Sequence, residues 1–320
     1  MASPPPSKWQ SLPTEQINPA SLAVDKAPVR DIVDMIVNED RKVVAAVHKE
    51  KEKIAHGVEI IAQSLGKGGR VIFVGAGTSG RLGVVEASEM PPTFGTHPRL
   101  VQAIMAGGQA AVFEAKEGVE DNYEEGGRSV ARLRLSNRDV LIGVSASGIT
   151  PFVRGALTRA RKAGAKIIFV TCWPGSELQN FVDLLIAPSV GPEIIAGSTR
   201  LKAGTATKMV LNMLTTIAMI KWGKTYGNLM VDVKTGSEKL KDRAKRILNV
   251  VTGLDPTEAE SLLKRARWNV KAAIVMQKAG LTLPQAMKRL RQADNSVREA
   301  IGEDIEPRLR ELLGQRERQG

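Results

Sequence analysis

A chain of 320 residues with 42% apolar and 25% charged side chains can bury one large core or two ordinary ones, which excludes the disordered, collagen-like and low-complexity classes. Its single cysteine, Cys172, excludes an internal disulfide or a multi-cysteine metal cluster, and its three histidines show no metal-ligand spacing. The net charge of +12 raises nucleic-acid binding. However, the 19 Lys/Arg and 12 Asp/Glu from Lys234 onward lie on solvated helical patterns, and only 4% of residues are aromatic, so the charge reads as solvated surface rather than a nucleic-acid site; such a surface also attracts anionic small substrates.

Residues 1–28 hold six prolines, at 4, 5, 6, 13, 19 and 28, and read as an irregular arm. No run reaches 18 apolar residues and the N-terminus lacks a signal-peptide layout. The expectation is a cytoplasmic protein with no membrane or nucleic-acid partner. Asp31–Leu65 is helical in pattern, with Val43, Val44, Val47, Ile54, Val58, Ile61 and Leu65 on one buried face. Five short apolar runs follow: 71–74, 100–106, 140–145, 167–171 and 184–187. They alternate with helical patterns, which predicts a doubly wound parallel α/β sheet covered on both faces. Ligands in such sheets bind at the carboxyl ends of the strands. A helix is predicted over 203–222. Beyond Lys239, short helices are broken at Gly253, Pro256, Gly280 and Pro284. The domain organisation read this way is an N-terminal arm and helices (1–66), a sheet domain (67–236) and a C-terminal helical module (237–320). Cys172, ending an apolar run, reads as a core residue.

Two strand-end loops carry the chemistry. Gly75-Ala76-Gly77-Thr78-Ser79-Gly80 matches G-x-G-x-x-G, but a dinucleotide site also needs an acidic residue closing the second strand. That strand ends Met105-Ala106-Gly107-Gly108, so the dinucleotide reading is set aside. The second loop, Ser145-Ala146-Ser147-Gly148-Ile149-Thr150-Pro151, has a proline suited to the first turn of a helix. Alone, either loop reads as an ordinary N-cap. As a pair on neighbouring strands they point to one phosphomonoester held by Gly77, Thr78, Ser79, Ser145, Ser147, Gly148 and Thr150. Gly197–Lys202 reads equally as a helix cap or as further ligand contacts.

These loops resemble the sugar isomerase (SIS) fold. GAGTSGRLGVVEASEMPPTFG (75–95), EGVED (117–121), GVSASGITP (143–151), GSTRLKAGTATKMVLNMLTT (197–216) and GNLMVDV (227–233) resemble more closely the N-acetylmuramic acid 6-phosphate etherases, of the MurQ type. The resemblance implies a carbon–oxygen lyase that needs no cofactor. Such an enzyme splits the D-lactyl ether of its phosphorylated amino-sugar substrate by elimination and hydration, giving N-acetylglucosamine 6-phosphate and D-lactate in peptidoglycan recycling. It implies Glu89 as the acid that protonates departing lactate, Glu120 as the base at C2, and ligand roles for Ser198 and Lys202. It also implies a homodimer with the site near the interface, a five-stranded sheet, and a three-helix ubiquitin-associated-like module in 254–290 with Leu262, Trp268, Ala273 and Ile274 in its core. If a helix starts near Thr78, Glu89 lies about 15 Å from the phosphate loop. Pro91 and Pro92 are expected to end that helix close to Glu89. Either the helix is short and folds back, or Glu89 serves a partner's site; Glu86 is the competing carboxylate. The rival readings are an aldose–ketose isomerase and a non-enzymatic phosphosugar-binding regulator.

Overall fold

The computed structural model describes residues 12–317. Residues 1–11 of the expected proline-rich arm and residues 318–320 lie outside them. The described part of the arm forms three single-turn 3₁₀ helices, Pro13–Glu15, Pro19–Ser21 and Val24–Lys26.

The expected helix over 31–65 is two helices, α1 (Val29–Lys49) and α2 (Lys51–Gly66), parted at Glu50. Glu50 is placed there by its carboxylate, which accepts a hydrogen bond from the Ala187 backbone N–H at 2.9 Å. Of the predicted buried face, Val44 is the exception. It is 60% exposed, while Val43 and Val47 face inward, because two adjacent residues lie 100° apart on a helix and the stripe here is narrow.

Five strands follow: β1 (Val71–Gly75), β2 (Val101–Met105), β3 (Val140–Val144), β4 (Lys166–Val170) and β5 (Leu184–Ile186). All four pairings are parallel, and the order is β2-β1-β3-β4-β5. β1 and β3 are buried throughout, as their unbroken apolar runs require. Between the strands lie α3 (Gly77–Phe94), α4 (Ala110–Phe113), α5 (Tyr123–Arg132) and α6 (Pro151–Lys162), and α7 (Lys202–Lys221) follows β5. On one face Ile72, Val74, Leu141, Ile167 and Phe169 pack with Val130 of α5 and Val153 and Leu157 of α6. On the other, Gly83 of α3 lets that helix close on Phe73, and Gly57 of α2 meets Leu214 of α7 and the β5 leucine Leu184.

The two prolines do not end α3. The helix continues through Pro91 and Pro92 to Phe94. The carbonyls that lose a helical donor belong to Ala87, half-buried, and Ser88, exposed, a stretch not sealed from solvent, so the loss of those two bonds is tolerated.

Packing divides the chain into two units: 1–88 with 98–216, and 89–97 with 217–320. The boundary after the sheet therefore falls inside α7, twenty residues before the expected one at 237. In the second unit come α8 (Glu238–Thr252), α9 (Pro256–Arg265), α10 (Val270–Ala279), α11 (Leu283–Gln292), α12 (Val297–Ile301) and α13 (Glu306–Glu317). The residues named as breakers take their usual places. Gly253 and Gly280 are left-handed C-caps, and Pro256 and Pro284 lie in first turns. Segment 254–290 forms three helices, but they share one core with α8, α12 and the α13 residue Leu309. Leu262, Ala273 and Ile274 are buried in it, and Trp268 packs at its margin. Lys271 is buried there, donating to Asp232 Oδ2 at 3.0 Å and to the Asn295 carbonyl at 2.9 Å. Among the described residues no helix is long and apolar enough to cross a membrane.

Candidate functional site

The strand order 2-1-3-4-5 reverses direction between β1 and β3, and the crevice at the carboxyl ends of those two strands is where such sheets bind ligands. Both hydroxyl–glycine loops leave from there. Gly75 and Gly80 hold α3 against the end of β1: a methyl on Gly75 would lie 2.7 Å from the Gly80 nitrogen, and one on Gly80 2.7 Å from the Gly75 carbonyl. The fingerprint thus serves a tight strand-to-helix turn, with Thr78 and Ser79 in the first turn of α3.

In the second loop Ser145 is the scaffold. Its buried Oγ accepts from the Gly148 N–H at 3.1 Å and lies 2.7 Å from Thr150 Oγ1. Gly148 has φ of +78°, which a side chain adopts only under strain. Thr150 then stands at the N-cap position of α6 with its hydroxyl turned to Ser145 rather than to the helix N–H groups, and Pro151 lies in the first turn, so the positive end of the helix dipole lies at the crevice.

A cavity of about 410 Å³ occupies this crevice. Gly77, Thr78, Ser79, Ser145, Ser147, Thr150 and Glu120 all line it. Glu120 is half-buried in the 3₁₀ turn Val119–Asp121, just before α5. Two glycines set its distance from the 145–150 loop. A Cβ on Gly126 of α5 would lie 1.9 Å from the Phe152 carbonyl oxygen, and one on Gly155 of α6 would lie 1.9 Å from the Tyr123 carbonyl oxygen. The two helices therefore touch backbone to backbone, and each follows directly on one half of the site. A larger cavity, about 750 Å³, lies in the second unit among Tyr226, Arg289 and Arg298. None of its lining residues belongs to a strand of the sheet or to a strand-end loop, so the sheet topology favours the smaller one.

Four of the residues named from sequence lie elsewhere. Gly148 shapes the loop from behind, and Ser198 is flanked by the true lining residues Gly197 and Thr199. Lys202 is 2% exposed and points away from the cavity, its Nζ donating to Glu39 Oε2 at 2.5 Å; a buried cation needs such a partner more than the ligand does. Burial acts to raise the Glu39 pKa, but hydrogen bonds from Lys202, Lys42 and Asn18 outweigh it and hold it at about 2. Glu89 is exposed and stands twelve residues beyond Gly77 on one continuous helix, about 18 Å along its axis. Its competitor Glu86 is 4% exposed and accepts from Asn212 and Thr215 of α7, so Glu86 is spent on packing. Cys172 is a core residue, its thiol pushed up to about 12 by burial.

The sequence reading missed five contributors. Arg81 lines the cavity and donates to the Val112 and Ala111 carbonyls, both at 2.9 Å, tying α3 to the segment before Glu120. Glu117 shares the wall with Glu120, but it is exposed. Leu12 and Glu15 enter from the N-terminal segment, where nothing in the local pattern marks them. Glu193, in the segment after β5, caps α7 from outside: its buried carboxylate accepts from the Lys202 and Ala203 N–H groups at 3.0 and 2.9 Å. Burial raises its pKa.

Comparison with known proteins adds the following. Residues 53–161 match the family model for the glucokinase regulatory protein N-terminal SIS domain, and residues 109–217 match that for the SIS domain. An N-acetylmuramic acid 6-phosphate etherase of Salinibacter ruber is 49% identical over 92% of this chain and 95% of its own. One of Clostridium acetobutylicum is 47% identical over 92% and 98%. Among solved structures, phosphoheptose isomerase GmhA from Neisseria gonorrhoeae aligns with a TM-score of 0.46 at 17% identity, over 60% of this chain and 98% of that one.

Proposed function

The chain belongs to the N-acetylmuramic acid 6-phosphate etherase family, and on that footing we propose how its residues act on the substrate. The enzyme is a lyase of peptidoglycan amino-sugar recycling. It cleaves the D-lactyl ether of N-acetylmuramic acid 6-phosphate, giving N-acetylglucosamine 6-phosphate and D-lactate.

The phosphate lies between the 77–79 loop and the 145–150 loop, against the N-termini of α3 and α6. In the open-chain sugar the C1 aldehyde acidifies the C2 proton, and Glu120 removes it. The C2–C3 double bond forms as the C3–O bond breaks, and an acid delivers a proton to the departing lactate oxygen. Water then adds to C3, and a proton returns to C2. The observation that carries this reading is the joining of both hydroxyl loops and Glu120 in one cavity at the switch point.

Glu89 is the acid, supplied by the partner subunit of a homodimer. Its exposure and its place far along an unbroken α3 support that arrangement over one in which it reaches its own chain's loop. A cytoplasmic location fits a single, buried, unpaired cysteine.

The test is D-lactate release from N-acetylmuramic acid 6-phosphate in ¹⁸O-labelled water. Label should appear at the C3 hydroxyl of the sugar and not in lactate. An isomerase or a binding regulator on this fold would release no lactate.

A further inference from the structure

The segment 12–21 is bolted along one wall of the cavity. The Gly197 N–H donates to the Thr14 carbonyl at 3.0 Å, Asn18 Nδ2 to the Pro192 carbonyl at 3.1 Å, and Ser21 Oγ to the Ile194 carbonyl at 2.7 Å. Asn18 and Ser21 are themselves buried, so these bonds are shielded from competing water. Leu12, 1% exposed, and Glu15 both line the cavity, together with Gly197 and Thr199 of the wall they are bonded to.

The seat of the Glu15 carboxylate is specific. A Cβ at Gly197 would lie 3.0 Å from Glu15 Oε2, and Gly197 holds φ of +78°. The wall is bare at the one point where the carboxylate rests on it. An ionised carboxylate accepts hydrogen bonds and donates none. It repels a bare phosphate and favours a ligand whose other end carries hydroxyl or amide hydrogens.

We propose that Glu15 is a specificity-determining residue: held over Gly197, its carboxylate accepts a hydrogen bond from a hydroxyl or the amide N–H of the bound amino-sugar phosphate, and so selects the sugar end of the ligand. The inference rests on the reading that the cavity takes a sugar phosphate. It gives Glu15 a role that neither phosphate loop can fill, because those loops recognise only the anion common to every phosphomonoester.

Titration calorimetry on the full chain separates these terms. Glu15→Gln should weaken N-acetylglucosamine 6-phosphate about tenfold, the worth of one charge-assisted bond. It should leave inorganic phosphate bound equally or more tightly, because a like charge has gone. In turnover KM should rise with kcat within about twofold, since the bond is made in ground and transition states alike. Gly197→Ala, which strains the backbone at φ +78° and pushes the carboxylate off by a few tenths of an ångström, should give the same split in smaller measure. Equal weakening of sugar phosphate and inorganic phosphate would show that the segment only braces the wall, and unchanged sugar-phosphate affinity would remove Glu15 from recognition; either overturns the proposal. Wild-type protein that binds the sugar phosphate but releases no lactate would instead overturn the lyase reading and leave this one standing.

Discussion

Replacing Lys202 by methionine removes a cation from a buried pair while nearly keeping the side chain's length. Glu39 and Lys202 are 5% and 2% exposed and meet at 2.5 Å. The Glu39 pKa, at about 2 against an ordinary 4.5, corresponds to roughly 3 kcal/mol of stability. Because the folded pKa is the lower one, that stability is fully present above about pH 4.5 and is lost as pH falls toward 2. Breaking one side of a buried pair costs about 3–5 kcal/mol. Lys42 and Asn18 still serve the carboxylate, so the lower end applies. Urea denaturation at pH 7 should therefore show Lys202→Met less stable by about 3 kcal/mol, and the gap should narrow as pH drops and Glu39 takes up a proton. The double variant Glu39→Leu/Lys202→Met should recover to within about 1–2 kcal/mol of wild type. A single variant that unfolds like wild type at pH 7 yet loses inorganic phosphate binding would refute this reasoning and return Lys202 to the ligand.

Glu120→Gln should lower kcat for lactate release by about 10²–10⁴-fold with phosphate affinity unchanged, measured by steady-state kinetics and calorimetry. Ser147→Ala should raise KM several-fold with little change in kcat, since it removes one ground-state donor. Gly155→Ala sets a methyl against the Tyr123 carbonyl, which cannot swing aside. It should cost about 3 kcal/mol in a denaturant titration and also depress kcat by displacing Glu120. Mixing separately inactive Glu89→Gln and Glu120→Gln proteins under exchange conditions should restore up to about a quarter of wild-type activity, through hybrid dimers with one intact site; no recovery would place both carboxylates in one subunit.

The sheet was legible because each strand is a compact apolar run ending in glycine or small residues, and β1 and β3 needed no tertiary context to be placed. The loops at 75–80 and 145–151 were legible as tight strand-to-helix turns for the same reason: such turns demand glycine, as the close approach of Gly75 to Gly80 and the positive φ of Gly148 show. What periodicity could not convey was partnership. Lys202 and Glu39 lie 163 residues apart, so no local window marks the lysine as paired. Glu15 belongs to a segment whose turns are local but whose destination is not. Pro91 and Pro92 misled because proline reports a missing donor, whereas the helix ends only if the freed carbonyls go unsatisfied.

The seam between Gly126 and Gly155 reaches beyond stability. With main chain against main chain, it cannot be loosened or tightened by degrees, as a contact between side chains can. Glu120 and the 145–150 loop are thereby mounted on one rigid bracket. New substrate shapes within this lineage must be accommodated on the opposite side, where 192–199 and its companion segment meet through a few removable bonds.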